Sequence, residues 1–303
     1  LSSSSAASDV YKRQIHGMLG VTWDSKYIWR GFDIYDDVSA THFLADLNLF
    51  DSGFGVSAVG HRANSSGFED REQWDYTVYY QNGVLAGEPY ATNFRFGWVY
   101  YNHPELNKDE SVDLQEMHMI LGWPNIVPVK GLQPSYVLAV LWPSDSDSRL
   151  SDSASGSLHI LMLDYQFSVA GIVPDIAEHA IRLHWELVYN DGFSPTPARP
   201  FRDWRTVYPN PDHGFSNTVF GVSTDLTLGD RRNIIFTPAI YYQITLDNTV
   251  FVDGTLYCKP NTDVEIEFMD GKPVTVNMPN TVELRVTDTP PAIKGATATN
   301  QYK

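Results

Sequence analysis

Cysteine, positive charge and long apolar runs are all scarce in this sequence of 303 residues. The single cysteine, Cys258, excludes an intramolecular disulfide framework and a cysteine-rich metal site. The 21 lysines and arginines are outnumbered by 37 aspartates and glutamates, which gives a formal net charge of −16. That acidity disfavours nucleic acid as a partner, because binding phosphates requires a basic patch. No run reaches the roughly 18 apolar residues that a transmembrane helix needs.

What the chain does have is alternation of apolar and polar residues. Phe43 and Leu47 share one face of an extended segment, whereas Asp46 and Asn48 share the other. The same period recurs in about a dozen segments before residue 258, and it predicts strands with two chemically different faces. Short turn signals, such as Asn82-Gly83, and long polar loops separate the segments. We therefore predict an all-β fold, an antiparallel up-and-down barrel of roughly 12 strands with long polar loops.

Alternation alone does not say which face meets water. Large aromatic residues near strand ends, such as Trp23 and Trp142, are typical of the interfacial belts of membrane barrels. Ionisable residues in the middle of the opposite faces suit a watery lumen. A soluble β-protein that binds small ligands, with those charges facing solvent, is the alternative. The predicted lumen-lining residues are Asp46, Asn48, Asp75, Arg95, Glu116, His118, Arg182, His184, Glu186 and Asp225.

A short aromatic motif, SKYIWRGF, occupies residues 25–32. Its Tyr27, Trp29, Arg30 and Gly31 match a YxWRG signature, and the motif resembles the N-terminal motif of TorF-type porins, small outer-membrane proteins of Gram-negative bacteria. Outside the motif the similarity is one of strand pattern only. The resemblance implies a barrel in outer-membrane lipid that passively conducts or binds small solutes, with no catalytic residues and no cofactor.

The residue pattern of the sequence changes towards the C-terminus. Residues 268–300 read FMDGKPVTVNMPNTVELRVTDTPPAIKGATATN and closely resemble the middle of translation elongation factor P. The resemblance implies that residues 259–303 are an incomplete OB-like fragment of a cytoplasmic factor, which would bind the ribosome only as part of the complete protein. A translation-factor fragment is thus the second reading of function. Because a secreted barrel and a ribosomal factor work in different compartments, we expect a chimeric join between residues 248 and 261.

The first residues also look foreign. SSAASDVYKRQ, residues 4–14, resembles the conceptual translation of a sequencing adapter, and it lacks the apolar stretch of a signal peptide. We therefore expect residues 1–14 to be an artefactual tail that replaces the true N-terminus. The expected organisation is a tail at 1–14, an outer-membrane-type barrel at 15–258 and the elongation factor P-like fragment at 259–303.

Three groups of residues could suggest a catalytic or metal-binding site. His213 and Ser216 are three residues apart, so a strand would place them on opposite faces, which does not suit a catalytic pair. His184 and Glu186 share a face, but two ligands do not make a zinc site. The acidic loop at residues 145–152 lacks the spacing of an EF-hand. The sequence therefore predicts no catalytic, cofactor-binding or metal-binding residues, and a protein that is not an enzyme.

Overall fold

The computed structural model describes residues 15–50, 52–107, 111–145, 154–170, 178–195, 213–228, 234–247 and 255–268. The predicted adapter tail and most of the predicted C-terminal fragment lie outside these ranges. The described part consists of antiparallel strands and one turn of 3-10 helix, Glu69–Arg71. Within the same ranges, no helix is long and apolar enough to cross a membrane.

The strands range from two to 15 residues in length and follow one another along the chain. They are β1 Ile15–Asp24, β2 Ile28–Trp29, β3 Phe32–Asp33, β4 Ala40–Leu49, β5 Phe54–Ala63, β6 Gln73–Val84, β7 Thr92–Asn102, β8 Leu114–Gly122, β9 Leu132–Pro143, β10 Gly156–Ala170, β11 Glu178–Asp191, β12 Gly214–Thr224, β13 Leu226–Leu228, β14 Ile234–Thr237, β15 Ala239–Thr245, β16 Thr255–Cys258 and β17 Asn261–Phe268.

Fifteen of these strands form one sheet in which each neighbouring pair is antiparallel, and β2 and β3 form a separate two-stranded ladder. Three long strands of the sheet are interrupted by one or two residues. Asp225 separates β12 from β13, Pro238 separates β14 from β15, and Lys259-Pro260 separates β16 from β17. Taken as continuous, these three strands join β1 and β4–β11 to give twelve strands in the described part of the chain.

The twelve strands close into a ring. The interrupted strand β14–β15 pairs with β12–β13 on one side and with β16–β17 on the other. The last strand then pairs with the first, from Thr22↔Asn261 to Ile15↔Phe268. Two further backbone hydrogen bonds, Trp23 N to Pro260 O and Ser25 N to Cys258 O, continue this ladder across the interruption. The predicted all-β, antiparallel barrel of roughly 12 strands is confirmed.

In the barrel wall, the distribution of apolar and polar side chains is the reverse of that in a water-soluble β-protein: the apolar face is exposed and the polar face is buried. Large apolar side chains on the outer face are exposed: Phe43 exposes 50%, Phe54 54% and Met117 60% of its surface. The inner face carries polar and charged side chains that are buried, among them Asp75 and Glu116. Because successive strand residues point to opposite faces, the alternation in the sequence produces two chemically different faces. The barrel places the polar face inside and the apolar face outside.

Connections at the two ends of the barrel differ in length. We call one end the long-loop end; its connections are residues 25–39, 64–72, 103–113, 144–155, 192–213 and 246–254. We call the other the short-turn end; its connections are residues 50–53, 85–91, 123–131, 171–177 and 229–233. The prediction of a turn at Asn82-Gly83 is wrong, because both residues pair with β7. The chain turns later, where Leu85 and Gly87 adopt positive φ.

The predicted boundary at residue 258 falls inside the barrel wall of this structure. Residues 261–268, which the sequence assigned to the elongation factor P-like fragment, form β17 and pair with both β1 and β14. The remainder of that fragment lies outside the described residues. The three-part organisation of the chain and the chimeric join both stay predictions.

Candidate functional site

The aromatic motif lies inside the barrel rather than in its wall. We call residues 25–39, between β1 and β4, the inward hairpin. Its strands β2 and β3 pair as Ile28↔Asp33 and Trp29↔Phe32. The two residues between them, Arg30 and Gly31, have φ values of 52° and 97°. Two consecutive positive φ angles are those of the two-residue hairpin turn that favours glycine at its second position, which explains the Arg-Gly pair of the motif.

The tip of the inward hairpin reaches across the lumen. Arg30 Nη2 donates to Glu116 Oε1 at 2.8 Å, and Arg30 Nη1 lies 2.6 Å from Glu116 Oε2 on β8. From another side of the ring, Gln243 Nε2 on β15 donates to the carbonyl oxygen of Gly31 at 3.0 Å. A segment that contacts β8 and β15 together crosses the interior of the barrel.

Glu116 is fully buried and has its remaining partners on the barrel wall. Tyr101 Oη donates to Glu116 Oε2 at 2.7 Å, and His118 Nδ1 lies 3.0 Å from Glu116 Oε1. Burial alone would lower the pKa of Arg30, but the Glu116 carboxylate raises it above its ordinary value. The pair is therefore ionised, and its low-dielectric setting makes each partner dependent on the other.

Aromatic packing fixes the rest of the inward hairpin. The Trp29 ring lies edge-on to Tyr101 and to Phe193, with centroids 5.6 and 5.8 Å apart, and Phe32 lies edge-on to Phe193 at 6.1 Å. These rings belong to one buried cluster with inward-facing residues of the opposite wall, Val137, Ala139, Leu141, Leu158 and Ile160. The inward hairpin thus fills the long-loop half of the lumen.

The carboxyl of Asp33 in the inward hairpin is buried, and within the described part of the chain no cation forms an ion pair with it. Burial raises the pKa of Asp33 to about 6, and the neighbouring carboxylate of Asp37 acts in the same direction. The backbone N–H of Asp37 donates to Asp33 Oδ2 at 2.7 Å, which lowers the pKa but only in part offsets burial. The charge of this hairpin therefore changes within a mildly acidic range.

The base of the inward hairpin rests on two histidines of the wall. Tyr27 stacks on His61 of β5, with ring centroids 5.1 Å apart and 12° between the planes, and its centroid lies 4.6 Å from that of His42 on β4. The two imidazoles are in contact with each other and with the carboxylates of Asp24 and Asp75. The inward hairpin is therefore anchored to the wall at its base as well as at its tip.

The short-turn half of the lumen has a different lining. Tyr79 Oη donates to Asp46 Oδ1 at 2.7 Å and lies 3.1 Å from Asn48 Oδ1. The guanidinium carbon of Arg95 lies 3.7 Å from the centroid of the Tyr79 ring. A Cβ on Gly55 would lie 2.1 Å from the Tyr79 ring, so only glycine lets this ring lie across the wall. The result is a neutral polar cluster with one carboxylate and one guanidinium.

A second group of charges lines the opposite side of the lumen, from the middle of β11 to the short-turn end. His184 Nδ1 lies 2.8 Å from Asp164 Oδ1, and its Nε2 lies 3.7 Å from Glu186 Oε2. Arg182 Nη2 donates to Asp225 Oδ2 at 3.4 Å. Both side chains of this last pair are partly exposed. Solvent therefore reaches this part of the lumen lining, as it reaches Asn48 and Arg95.

The ten predicted lumen residues point to the inside of the barrel in separate clusters, and their role in lining a path for solutes stays a prediction. Asp75 lies near the base of the inward hairpin, and Glu116 and His118 lie at its tip. His184 and Glu186 lie near the middle of β11, with Glu186 in electrostatic reach of Arg30, and the others lie in the short-turn half. Sequence reasoning missed the inward hairpin itself, together with the contribution of Asp24, His42 and His61. The density of aromatic residues in a connection between two strands was the available signal.

The constellations considered for chemistry do not assemble into a site. His213 Nδ1 contacts Asp191, whereas the buried Ser216 donates to Asn217 Oδ1 at 2.8 Å. The described ranges hold no group of three or more His, Cys, Asp or Glu side chains that could bind a metal ion. Residues 146–152 of the acidic loop lie outside those ranges.

No protein-family model matches the sequence. Over a short segment the chain is similar to elongation factor P: it is 44% identical over 64 residues to the protein of Nitrosospira multiformis, which is 21% of this chain and 34% of that protein. The factor of Finegoldia magna is 42% identical over 66 residues, covering 22% and 36% of the two chains. The chain thus spans about a third of the length of these curated relatives.

Solved structures with a similar fold are outer-membrane proteins. The KdgM porin in complex with disordered oligogalacturonate is 10% identical, with 83% of this chain and 99% of that chain covered and a TM-score of 0.44. An outer-membrane channel of Pseudomonas putida F1 is 8% identical, with 84% and 96% covered and a TM-score of 0.46. Identities this low do not assign a function to this chain.

Proposed function

We propose that the chain is a porin-like β-barrel of the Gram-negative outer membrane, that small solutes pass through or bind in its lumen, and that the inward hairpin closes the long-loop half. The observation that carries the proposal is the inversion of its two faces. Exposed Phe, Trp, Leu and Met side chains suit hydrocarbon, whereas buried carboxylates and guanidinium groups suit an internal polar space. In water the same outer face would be an apolar patch large enough to drive aggregation.

The orientation follows from loop length. Outer-membrane barrels carry short periplasmic turns and longer extracellular loops. The long-loop end, with the inward hairpin, would therefore face outwards, and the charged short-turn half would open towards the periplasm. Acidic and basic groups are mixed along the lumen, so the proposal names small solutes without a preferred charge.

Electrophoretic mobility tests the membrane assignment. Folded membrane barrels resist unfolding in dodecyl sulfate without heating, so unheated and boiled samples should migrate differently. We expect this shift for residues 15–268 refolded into detergent micelles, and aggregation when the detergent is removed. A monomer that stays in solution without detergent would overturn the proposal in favour of a ligand-binding protein in water.

A second proposal concerns the C-terminus. We infer that residues 259–303 derive from an elongation factor P gene, and the local identity to those factors supports this. We expect DNA amplification across residues 248–261 from the source to fail. A continuous genomic product would contradict the chimera and make β17 the natural last strand. Comparing chains that end at residues 258 and 268 then tests whether β17 is needed for the mobility shift.

A further inference from the structure

Four buried side chains at the base of the inward hairpin form an unbroken line across β1, β4, β5 and β6. His42 Nε2 lies 3.2 Å from Asp24 Oδ2, and His61 Nε2 lies 2.9 Å from Asp75 Oδ2. Between them, the Nδ1 atoms of the two histidines are 2.7 Å apart. Each of the four side chains exposes 5% of its surface or less.

This geometry fixes the number of protons in the line. A carboxylate only accepts hydrogen bonds, so each Nε2 that contacts one must carry a hydrogen. In a neutral imidazole the other nitrogen, Nδ1, then holds a lone pair. Two lone pairs cannot face each other at hydrogen-bond distance. One additional proton therefore lies between His42 and His61, and the two rings together carry one positive charge.

The charged and polar groups around these four side chains agree with one additional proton on the two histidines. Lys259 Nζ lies 3.3 Å from Asp24 Oδ2, and Gln73 Nε2 donates to Asp75 Oδ1 at 2.5 Å. Lys259 thus balances one of the two carboxylates and the shared proton balances the other. The buried Tyr35 phenol lies in electrostatic reach of both Asp75 and the buried Arg71 guanidinium. Lys259 is the one member of this group from the segment that resembles elongation factor P, so the proton between the two histidines does not depend on it. A second proton would place two like charges in direct contact and remove the hydrogen bond between the rings.

We propose that the shared proton is a latch for the inward hairpin, so that acidification loosens the hairpin from the wall. Tyr27 stacks flat on the His61 ring, and the hydrogen bond between His61 and His42 holds that ring in place. When both histidines are protonated, the rings must separate, and the surface on which Tyr27 rests is lost. This inference rests on the proposed function for its consequence, the opening of the lumen, but the latch itself can be measured without it.

Asp33 responds to pH in the opposite sense. Its pKa is raised to about 6 in the docked inward hairpin, so protonation of Asp33 favours docking as the pH falls. The experiment is therefore done in an Asp33→Asn variant, in which that contribution is removed. The amide retains an oxygen that accepts the N–H of Asp37.

Nuclear magnetic resonance of this variant in micelles, with ¹⁵N-labelled histidine, tests the latch directly. At about pH 7, we expect one proton coupled to both Nδ1 nitrogens of His42 and His61. Nuclear Overhauser effects between the Tyr27 and His61 rings, whose centroids are 5.1 Å apart, report docking on the wall. The Ile34 amide, which donates to the carbonyl oxygen of Tyr27 at 3.0 Å within the hairpin, reports loosening of the hairpin base through its exchange rate. After correction for intrinsic exchange, we expect about a tenfold faster rate at about pH 4.5, the effect of losing one hydrogen bond to a charged group.

Two variants give the controls. His61→Gln should abolish the pH response, whereas His159→Gln, on the outer face of β10 beside Tyr136, should leave it intact. Two histidines that titrate independently, with no shared proton, would overturn the latch. So would a pH response that survives in His61→Gln.

Conductance in planar bilayers separates the latch from the proposed function. An acid-induced rise that is lost in His61→Gln supports both. A shared proton and an acid-released Ile34 amide without any conductance would leave the latch standing and overturn the channel.

Discussion

The two halves of the lumen use the same kinds of residues in opposite ways. At the long-loop end, the side chains of Arg30 and Glu116 expose 5% and 1% of their surface and meet at 2.6 Å. At the short-turn end, the side chains of Arg182 and Asp225 expose 17% and 39% and meet at 3.4 Å. Water screens the second pair but not the first. The comparison indicates that the lumen is packed around the tip of the inward hairpin, whereas the part of the short-turn half that holds Arg182 and Asp225 is open to solvent.

Glu116→Gln should break the packed half most severely. The change leaves Arg30 charged, buried and without its carboxylate, which costs about 3–5 kcal/mol. Urea unfolding in micelles, followed by tryptophan fluorescence, measures this loss. A loss below about 1 kcal/mol would mean that water reaches Arg30 and that the two halves do not differ.

Asp33→Asn should stabilise the inward hairpin at neutral pH. The folded-state pKa of about 6 lies above the unfolded value near 3.9, so the folded state binds more protons between these values and stability falls as the pH rises through them. Removing the charge should restore about 2–3 kcal/mol at pH 7 and almost nothing at pH 4. Parallel unfolding curves at both pH values measure this difference. Equal stabilisation at the two pH values would contradict the buried carboxyl.

Gly31→Ala sharpens the comparison at the turn. A φ of 97° is unfavourable for any residue with a Cβ, and the strain costs about 1–2 kcal/mol. The same unfolding assay should register this loss, and amide exchange should locate it in the inward hairpin. The matched control is Gly87→Ala, also at positive φ but in a short turn outside the lumen, which should cost stability without loosening the hairpin.

Asp225→Asn should have the smallest effect. Its ion pair with Arg182 is partly exposed, and Thr237 Oγ1 can still donate to the amide oxygen. We expect a change below about 1 kcal/mol in the unfolding assay. A loss as large as that of Glu116→Gln would show that the short-turn half is also a closed core.

Much of the wall could be predicted from the sequence, because period-2 alternation is a local property. The inner position of Asp46, Glu116 or His184 follows from the position of each residue in its strand. The prediction of a turn at Asn82-Gly83 was wrong, because pairing with β7 extends past this dipeptide and overrides its local preference for a turn. The number of strands was also predictable. What the sequence did not reveal is that interruptions at Asp225, Pro238 and Lys259-Pro260 divide three of the twelve strands into two pieces each.

The inward hairpin could not be predicted, because a loop that folds into a barrel makes only long-range contacts. Arg30 and Glu116 are 86 positions apart, and Gly31 and Gln243 are 212 apart. The motif identified Tyr27, Trp29, Arg30 and Gly31 as distinctive, but their position in the lumen is fixed by packing against strands far along the chain. The histidine line was missed for the same reason, since its members come from four different strands.

Single-channel conductance of a variant with residues 26–38 replaced by a short Gly-Ser linker tests the central claim, that the inward hairpin closes the lumen of a membrane barrel. The heat-modifiable mobility shift first establishes that the shortened barrel folds. We then expect the variant to conduct more than the parent chain under identical salt and voltage. A folded variant whose conductance equals that of the parent would contradict the closure of the lumen by this hairpin.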